Sequence, residues 1–291
     1  MTKKTKLFII LFIISKAGIF ASPQMPDFII YGKDTIPTYN LILENYLQKQ
    51  DTAKTNSLFG LNFRNNASPN CWRGYQAIYK IVNDSLFLVH IIDCGQLRNR
   101  KIDTIQSQNK IKNIFNENFK DGKVYIDWFD GTINFPLTNK TLRWDGVFYK
   151  IFEKEKVITV TNGLITKTED VDNYFDDPKR IDRRDKKLIS NILFKKLKNS
   201  LKNTKGFDCG TEYLITIDEN GNVSKIKMLY TEKEIEKYFD KGEYSFCIDK
   251  MYKSLKPLRF DILKNKGIPI SEEIYLSIFI DVDGKIENRT N

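Results

Sequence analysis

Alternating apolar and polar residues indicate two strands in the last third of the chain. Residues 212–217 place Tyr213, Ile215 and Ile217 on one face, and a second alternating run covers residues 223–230. A two-residue period is typical of strands with one buried face. An Asn-Gly pair between the two runs tolerates the positive φ of a tight turn. The pattern therefore predicts a β-hairpin.

After this hairpin the hydrophobic period becomes that of a helix. Ser245 is a candidate N-cap, and Pro257 is expected to end the helix because proline lacks an amide hydrogen. A last strand is predicted at Ile274–Ile280. The apolar stripe of the helix, spaced at i, i+3, i+4 and i+7, consists of Ile248, Met251, Tyr252 and Leu255.

The first half of the chain contains many short β-rich runs separated by polar turns. Residues 41–47 are apolar but fit a helix or a strand equally well. A short helical stripe is formed by Ile111, Ile114, Phe115 and Phe119. A mostly antiparallel β domain is predicted, with strands at 27–31, 72–82, 86–92, 124–129, 132–135, 147–152 and 157–161.

A charged segment joins the two regions. Residues 168–178 are acidic, whereas residues 179–205 contain eleven Lys or Arg and only two Asp. The second part predicts an amphipathic basic helix with an apolar stripe of Leu188, Ile192, Leu193, Leu197 and Leu201. Either this stripe packs on the C-terminal sheet and the lysines are solvated, or the helix contacts anionic lipid or an acidic partner. The candidate basic surface consists of Lys186, Lys187, Lys195 and Lys196.

These patterns predict an α+β protein with four segments. A signal peptide covers 1–21 and a β-rich domain covers 22–167. The charged linker and basic helix occupy 168–205, and an α+β module occupies 206–291. The order of elements in that module is strand, strand, helix, strand.

The C-terminal module resembles the C-terminal domain of TonB proteins. The resemblance rests on the Asp-x-Asn-Gly turn at 218–221, the stretch Leu258-Arg259-Phe260 and the Lys-Gly-Ile-Pro turn at 266–269, in that order. It implies a ββαβ fold that binds a partner peptide as an added strand. The last strand is the expected edge because no later strand is predicted after it. The candidate partner-binding residues are Ile274, Tyr275, Leu276, Ser277 and Ile278.

The N-terminus has the features of an export signal. Lys3, Lys4 and Lys6 precede an apolar run at 7–14, and small residues follow at Ala17, Gly18, Ala21 and Ser22. Lys16 interrupts the apolar segment before it reaches the ~20 residues that a membrane span requires. A cleaved signal and a periplasmic or secreted protein are expected. The net charge is +10 for the whole chain, but four lysines leave with the signal, so the mature chain carries about +6. This modest charge favours acidic surfaces in general without selecting one.

Four cysteines in an exported chain permit two disulfides. Three pairings are open. The simplest joins Cys71 to Cys94 and Cys209 to Cys247, because each bridge then stays within one module. The chain contains no Cys-x-x-Cys, so the sequence does not favour a thiol redox motif or a zinc site.

The sequence contains little that indicates catalysis. There is a single histidine, His90, and neither a Gly-x-Ser-x-Gly motif nor a phosphate-binding loop occurs. We therefore expect no cofactor, no metal and no nucleic-acid partner. The leading hypothesis is an exported protein that binds a protein or peptide in the cell envelope. The alternatives are a hydrolase with an unrecognised site in the β-rich domain and a TonB-type energy transducer.

Overall fold

The computed structural model describes residues 23–50, 67–99, 102–202, 204, 206–281 and 283–290. The predicted signal peptide lies outside the described residues. The chain divides into two compact units. The N-terminal unit comprises residues up to Phe135 together with Arg143–Lys150 and Val157–Glu169. The C-terminal unit comprises Pro136–Leu142, Ile151–Lys156 and Asp170–Asn291.

Most of the N-terminal unit is a mixed sheet of eight strands. Their order is β2-β1-β3-β4-β10-β9-β6, and β5 pairs with β4. The hairpins β1–β2 and β3–β4 are antiparallel, whereas β1 and β3 run parallel. The strands are β1 (Asp27–Tyr31), β2 (Asp34–Thr38), β3 (Tyr75–Val82), β4 (Ser85–Asp93), β5 (Val124–Tyr125), β6 (Gly131–Pro136), β9 (Lys154–Thr161) and β10 (Leu164–Asp172). A separate two-stranded hairpin consists of β7 (Thr141–Trp144) and β8 (Lys150–Phe152).

Two helices cover this sheet. The ambiguous segment at 41–47 forms helix α1 (Ile42–Gln50). Ile111, Ile114 and Phe115 of the predicted stripe belong to helix α2 (Thr104–Phe115), whereas Phe119 lies beyond its end. The α2 N-cap is Asp103, whose carboxylate accepts the backbone N–H of Gln106. The apolar faces of both helices join the buried face of the sheet in one core. The core includes Leu43, Leu47, Ala77, Leu86, Leu88, Ile91, Ile111 and Phe115.

The C-terminal unit contains a four-stranded sheet in the order β13-β12-β16-β17. The strands are β12 (Glu212–Ile217), β13 (Val223–Met228), β16 (Glu272–Ile280) and β17 (Ile286–Asn288). Its helices are α3 (Lys186–Ser200), α4 (Glu232–Tyr238) and α5 (Glu243–Leu255). Three short strands form a second sheet in the order β11-β14-β15: β11 (Tyr174–Phe175), β14 (Ile262–Asn265) and β15 (Ile268–Pro269).

Helices α3 and α5 pack on one face of the four-stranded sheet. The buried side of α3 is apolar, and α5 contributes Cys247, Met251 and Leu255 to the same core. Alternate residues of β12 and β16 face these helices, as the two-residue period predicts. The mixed helix and strand content confirms the α+β class.

The structure corrects several details of the prediction. Helix α5 begins at Glu243 with Gly242 as its N-cap, so the assignment of Ser245 as the cap is wrong. On α3 the apolar side includes Ile189, whereas Leu188 is 46% exposed. The expected linker at 168–178 contains the end of β10 and all of β11, which pairs with β14.

Candidate binding surfaces of the C-terminal unit

The strand expected to be the open edge, β16, is an interior strand. It pairs with β12 along Glu272–Ser277 and with β17 along Ile278–Ile280. The expectation that no strand follows β16 is wrong, because β17 follows it. Strand β17 was missed because three residues are too few to show an alternating pattern. The backbone of the predicted partner-binding residues Ile274, Tyr275, Leu276, Ser277 and Ile278 therefore contacts the chain's own strands and helix, whereas the Tyr275 side chain is 37% exposed.

Hydrogen bonds show how the edge of β16 beyond β12 is occupied. The Ser277 amide donates to Thr290 Oγ1 at 2.9 Å, and its carbonyl accepts the Arg289 amide at 2.9 Å. The Tyr275 carbonyl accepts the hydroxyl hydrogen of Ser190 on α3 at 3.2 Å. A partner strand would have to displace these groups in order to pair here.

The free edge of the sheet belongs to β13 instead. Among the described residues, β13 pairs only with β12. The Leu229 amide donates to the Glu212 carbonyl, and the register matches Leu214 with Lys227. Backbone groups of Lys225, Lys227 and Leu229 therefore face β12, because they alternate along an antiparallel strand. Those of Ile226 and Met228 face outward, and we call this outward side of Val223–Met228 the β13 edge.

Charged and buried side chains alternate along the β13 edge. Ile226 and Met228 are 5% and 3% exposed, so their side chains belong to the core. Lys225 is exposed, and Lys227 forms an ion pair with Glu273 at 2.8 Å. Lysines on an edge strand disfavour unspecific strand pairing while leaving the outward amides accessible.

An aromatic cleft of about 380 Å³ lies beside the C-terminal end of β13. Tyr230 follows the strand, and its ring contacts the edge of Phe239 at a centroid distance of 5.5 Å. Tyr238, the last residue of α4, also lines the cleft and is 61% exposed. Sequence reasoning missed this cleft because α4 has no buried residues and therefore shows no apolar stripe.

Two carboxylates and one hydroxyl complete the lining of the aromatic cleft. Glu243 is buried, and its two oxygens accept the amides of Asp208 at 2.7 Å and Asp240 at 2.8 Å. Asp208 is exposed. Thr211 Oγ1 is buried without a hydrogen-bond partner among the described residues. Burial raises the pKa of the neighbouring Tyr213, and the negative charges of Asp208 and Glu243 raise it further.

The predicted basic surface lies on the solvent side of α3. Lys186, Lys187, Lys195 and Lys196 are all exposed. Lys186 pairs with Glu272 at 2.9 Å, and the other three form no ion pair among the described residues. The opposite side of α3 packs on the sheet, as expected for a helix with an apolar stripe. Binding of these lysines to an anionic surface remains a prediction.

Two disulfides join the cysteines in the arrangement that keeps each bridge within one unit. Cys71 is bonded to Cys94 and Cys209 to Cys247. The first bridge links the segments that flank the β3–β4 hairpin. The second ties the segment before β12 to α5. Both bridges fit a protein that folds outside the reducing cytoplasm.

The N-terminal unit contains a buried charge cluster that the sequence did not reveal. Arg73 donates to Asp27 at 2.7 Å, and Tyr75 donates to Glu44 at 2.8 Å. Burial raises the pKa of Asp27, although the Arg73 charge lowers it in part. Each of these side chains is at most 2% exposed. The cluster is therefore sealed from solvent, and it supports packing better than it supports a reaction with a dissolved substrate.

Comparisons with known proteins assign no family to the chain. Among the described residues, no group of three metal-ligating side chains lies close enough to hold an ion. Of the helices in the described ranges, none combines the length and hydrophobicity that a bilayer span needs.

No family model, no curated protein and no solved structure matches this sequence.

Proposed function

We propose that the chain is an exported cell-envelope protein whose TonB-like C-terminal unit binds an extended protein or peptide segment. The segment adds to the sheet as a further strand beside β13. The observation that carries this proposal is the β13 edge, whose outward amides and carbonyls have no strand partner among the described residues. An extended peptide can satisfy such groups through main-chain hydrogen bonds.

Two features of the C-terminal unit support this use of the edge. The opposite side of the sheet ends in β17, so β13 is the longer of the two outer strands. The Cys209–Cys247 bridge fixes the start of β12 on α5. The sheet is therefore held in place by a covalent bond before a partner arrives, which lowers the entropy cost of binding.

Peptide capture with two proline variants tests the choice of edge. Random decapeptides displayed on phage are selected on the mature chain, and bound peptides are then tested on Ile226→Pro and Ser277→Pro. Proline removes one amide hydrogen in each case. Ile226→Pro is expected to abolish capture, because the Ile226 amide faces outward. Ser277→Pro is the opposite case: its amide donates to Thr290 within an interior strand, so proline there is expected to destabilise the fold, and capture is lost only together with folding.

Ile226→Pro also removes a buried side chain, so a second measurement uses the unchanged protein. Amide hydrogen exchange is followed by NMR with and without a selected peptide. The Ile226 and Met228 amides should exchange rapidly at first and slowly after binding, whereas Lys225 and Lys227 should be protected throughout. Protection that appears at Tyr275 or Ser277 instead would refute binding at the β13 edge.

A further inference from the structure

The aromatic cleft at the end of β13 has the composition of a receptor for a positively charged side chain. Its rings belong to Tyr230, Tyr238 and Phe239, and its carboxylates to Asp208 and Glu243. Aromatic faces attract cations through the ring quadrupole, and carboxylates add direct charge attraction. We propose that this cleft binds a lysine or arginine side chain of the segment that adds to β13.

Local charge separates this region from the rest of the molecule. The chain as a whole carries a net charge of +10, yet residues 231–244 contain five acidic and three basic side chains. Asp208 adds a further negative charge at the cleft. A cationic group therefore finds a complementary potential here, whereas a carboxylate would be repelled.

The protein's own lysine shows that the ring system accommodates a cation. Lys237 Nζ lies 4.8 Å from the centroid of the Tyr238 ring. Lys237 and Tyr238 are both exposed, so a cation from a ligand can reach this ring. Glu243, by contrast, is only 7% exposed.

The position of the cleft relates this proposal to the proposed function. Tyr230 lies two residues beyond Met228, the last residue of β13. A strand that adds along the β13 edge and extends two residues past Met228 would place a side chain beside Tyr230, the cleft ring that follows β13. The preferred residue of the partner would then be a lysine or an arginine, and the role of the cleft in partner binding rests on the proposed strand addition. The test of the cleft uses single amino-acid derivatives that cannot form a strand, so the two proposals fail independently.

NMR titration with paired small molecules provides the test. The probes are the methyl esters of N-acetyl-arginine and N-acetyl-lysine, with N-acetyl-citrulline methyl ester as a neutral control of nearly the same shape. The charged probes should shift resonances of Tyr230, Tyr238 and Phe239 at millimolar concentration, and citrulline should bind at least tenfold more weakly. Equal binding of citrulline, or shifts located elsewhere, would overturn the proposal.

Three variants separate the ring and charge contributions. Tyr238→Ala and Asp208→Asn should each weaken arginine binding about fivefold or more, whereas Tyr238→Phe should retain it because the ring remains. Tyr149→Ala serves as the matched control, since Tyr149 is an exposed tyrosine of the other unit at 43% exposure. Unchanged binding in both Tyr238→Ala and Asp208→Asn would exclude the cleft as the site.

Discussion

Two glycines occupy comparable acidic turns but have different surroundings. Gly221 and Gly284 have φ of 78° and 76°, a region that side chains with a Cβ rarely adopt. A Cβ at Gly221 would lie 2.0 Å from the Phe260 carbonyl oxygen, whereas a Cβ at Gly284 would meet nothing within 4 Å. The two positions therefore separate backbone strain from steric overlap.

Alanine at these positions should destabilise the C-terminal unit to different extents. Gly284→Ala is expected to lower the free energy of unfolding by about 1–2 kcal/mol through left-handed backbone strain alone. Gly221→Ala should lower it by about 3 kcal/mol or more, because the Phe260 carbonyl must also move. Urea denaturation of both variants measures the difference. Equal losses would mean that the 220–221 turn relaxes without cost.

His90 gives the N-terminal unit a specific pH dependence. Partial burial lowers the pKa of this imidazole below its ordinary value of 6.5, so the folded state favours the neutral form. Its Nδ1 lies 3.2 Å from the hydroxyl of Ser107, which can donate to a neutral ring. The stabilising contribution is therefore complete above pH 6.5 and is lost as the pH falls through the lowered pKa.

Substitution of His90 should remove this contribution. Between about pH 7.5 and pH 5, the wild-type protein should lose more unfolding free energy than His90→Gln does. Denaturation at several pH values measures the two slopes, and the NMR titration of the single histidine gives its pKa directly. A pKa above 6.5 would reverse the expected sign.

At the scale of secondary structure, the two disulfides differ in accessibility. Cys209 and Cys247 are both fully buried, whereas Cys94 is partly exposed. Limited reduction should therefore open Cys71–Cys94 first, because thiol attack requires access to sulfur. Mass mapping of unreduced peptides checks the pairing, and timed alkylation checks the order. Four free thiols or a Cys71–Cys247 link would contradict the structure.

Removal of either bridge should also destabilise its own unit. Double substitution of Cys209 and Cys247 by alanine is expected to cost about 2–5 kcal/mol. The corresponding Cys71 and Cys94 double variant is the control, since it should affect the N-terminal unit and leave β13 unchanged. Spectroscopic probes specific to each unit distinguish the two results.

Strands with one buried face and amphipathic helices could be predicted from the sequence, whereas short or largely exposed strands could not. The bounds of β12 agree with its alternating pattern, because that strand has one buried face, and the strand predicted at 27–31 agrees with β1. The nine-residue strand β10 was missed because none of its residues is buried, and its end was assigned to the charged linker. Strands β11 and β17 have two and three residues, too few for any period to appear. Their pairing depends on tertiary contacts, so the edge was assigned to β16 instead of β13.

The candidate cleft was beyond sequence reasoning for a related reason. Asp208, Tyr230 and Glu243 come from three separate segments of the C-terminal unit. Only the fold brings them together. The acidic composition of residues 231–244 was the single available signal, and surface helices have similar compositions for solubility alone.

At the scale of the whole molecule, one exposed helix face carries a group of lysines. Lys187, Lys195 and Lys196 are exposed on α3 and lack ion pairs among the described residues. Triple substitution by glutamine should reduce co-sedimentation with anionic vesicles several-fold at about 0.05 M salt, and wild-type binding should fall at about 0.5 M.

Three lysines on or close to helix α4 provide a control variant with the same change in charge. Lys233, Lys237 and Lys241 are also exposed, and their replacement by glutamine should leave vesicle binding nearly unchanged. If both triple variants lose binding equally, the effect reflects net charge and not the α3 surface. If the wild-type protein fails to sediment with anionic vesicles at low salt, the lysines of α3 form a solvated face of a packed helix and do not bind membranes.

The short strand β17 occupies part of the edge of β16, so a partner strand would have to compete with a segment of the same chain. Only five residues, 281–285, separate β17 from β16 in the sequence, so its local concentration at that edge is in the millimolar range or above. A free peptide at micromolar concentration cannot displace it efficiently. A chain shortened after Ile280 would lack this tether and expose a long apolar strand. Such a chain should dimerise with increasing concentration in analytical ultracentrifugation, whereas the full chain should not.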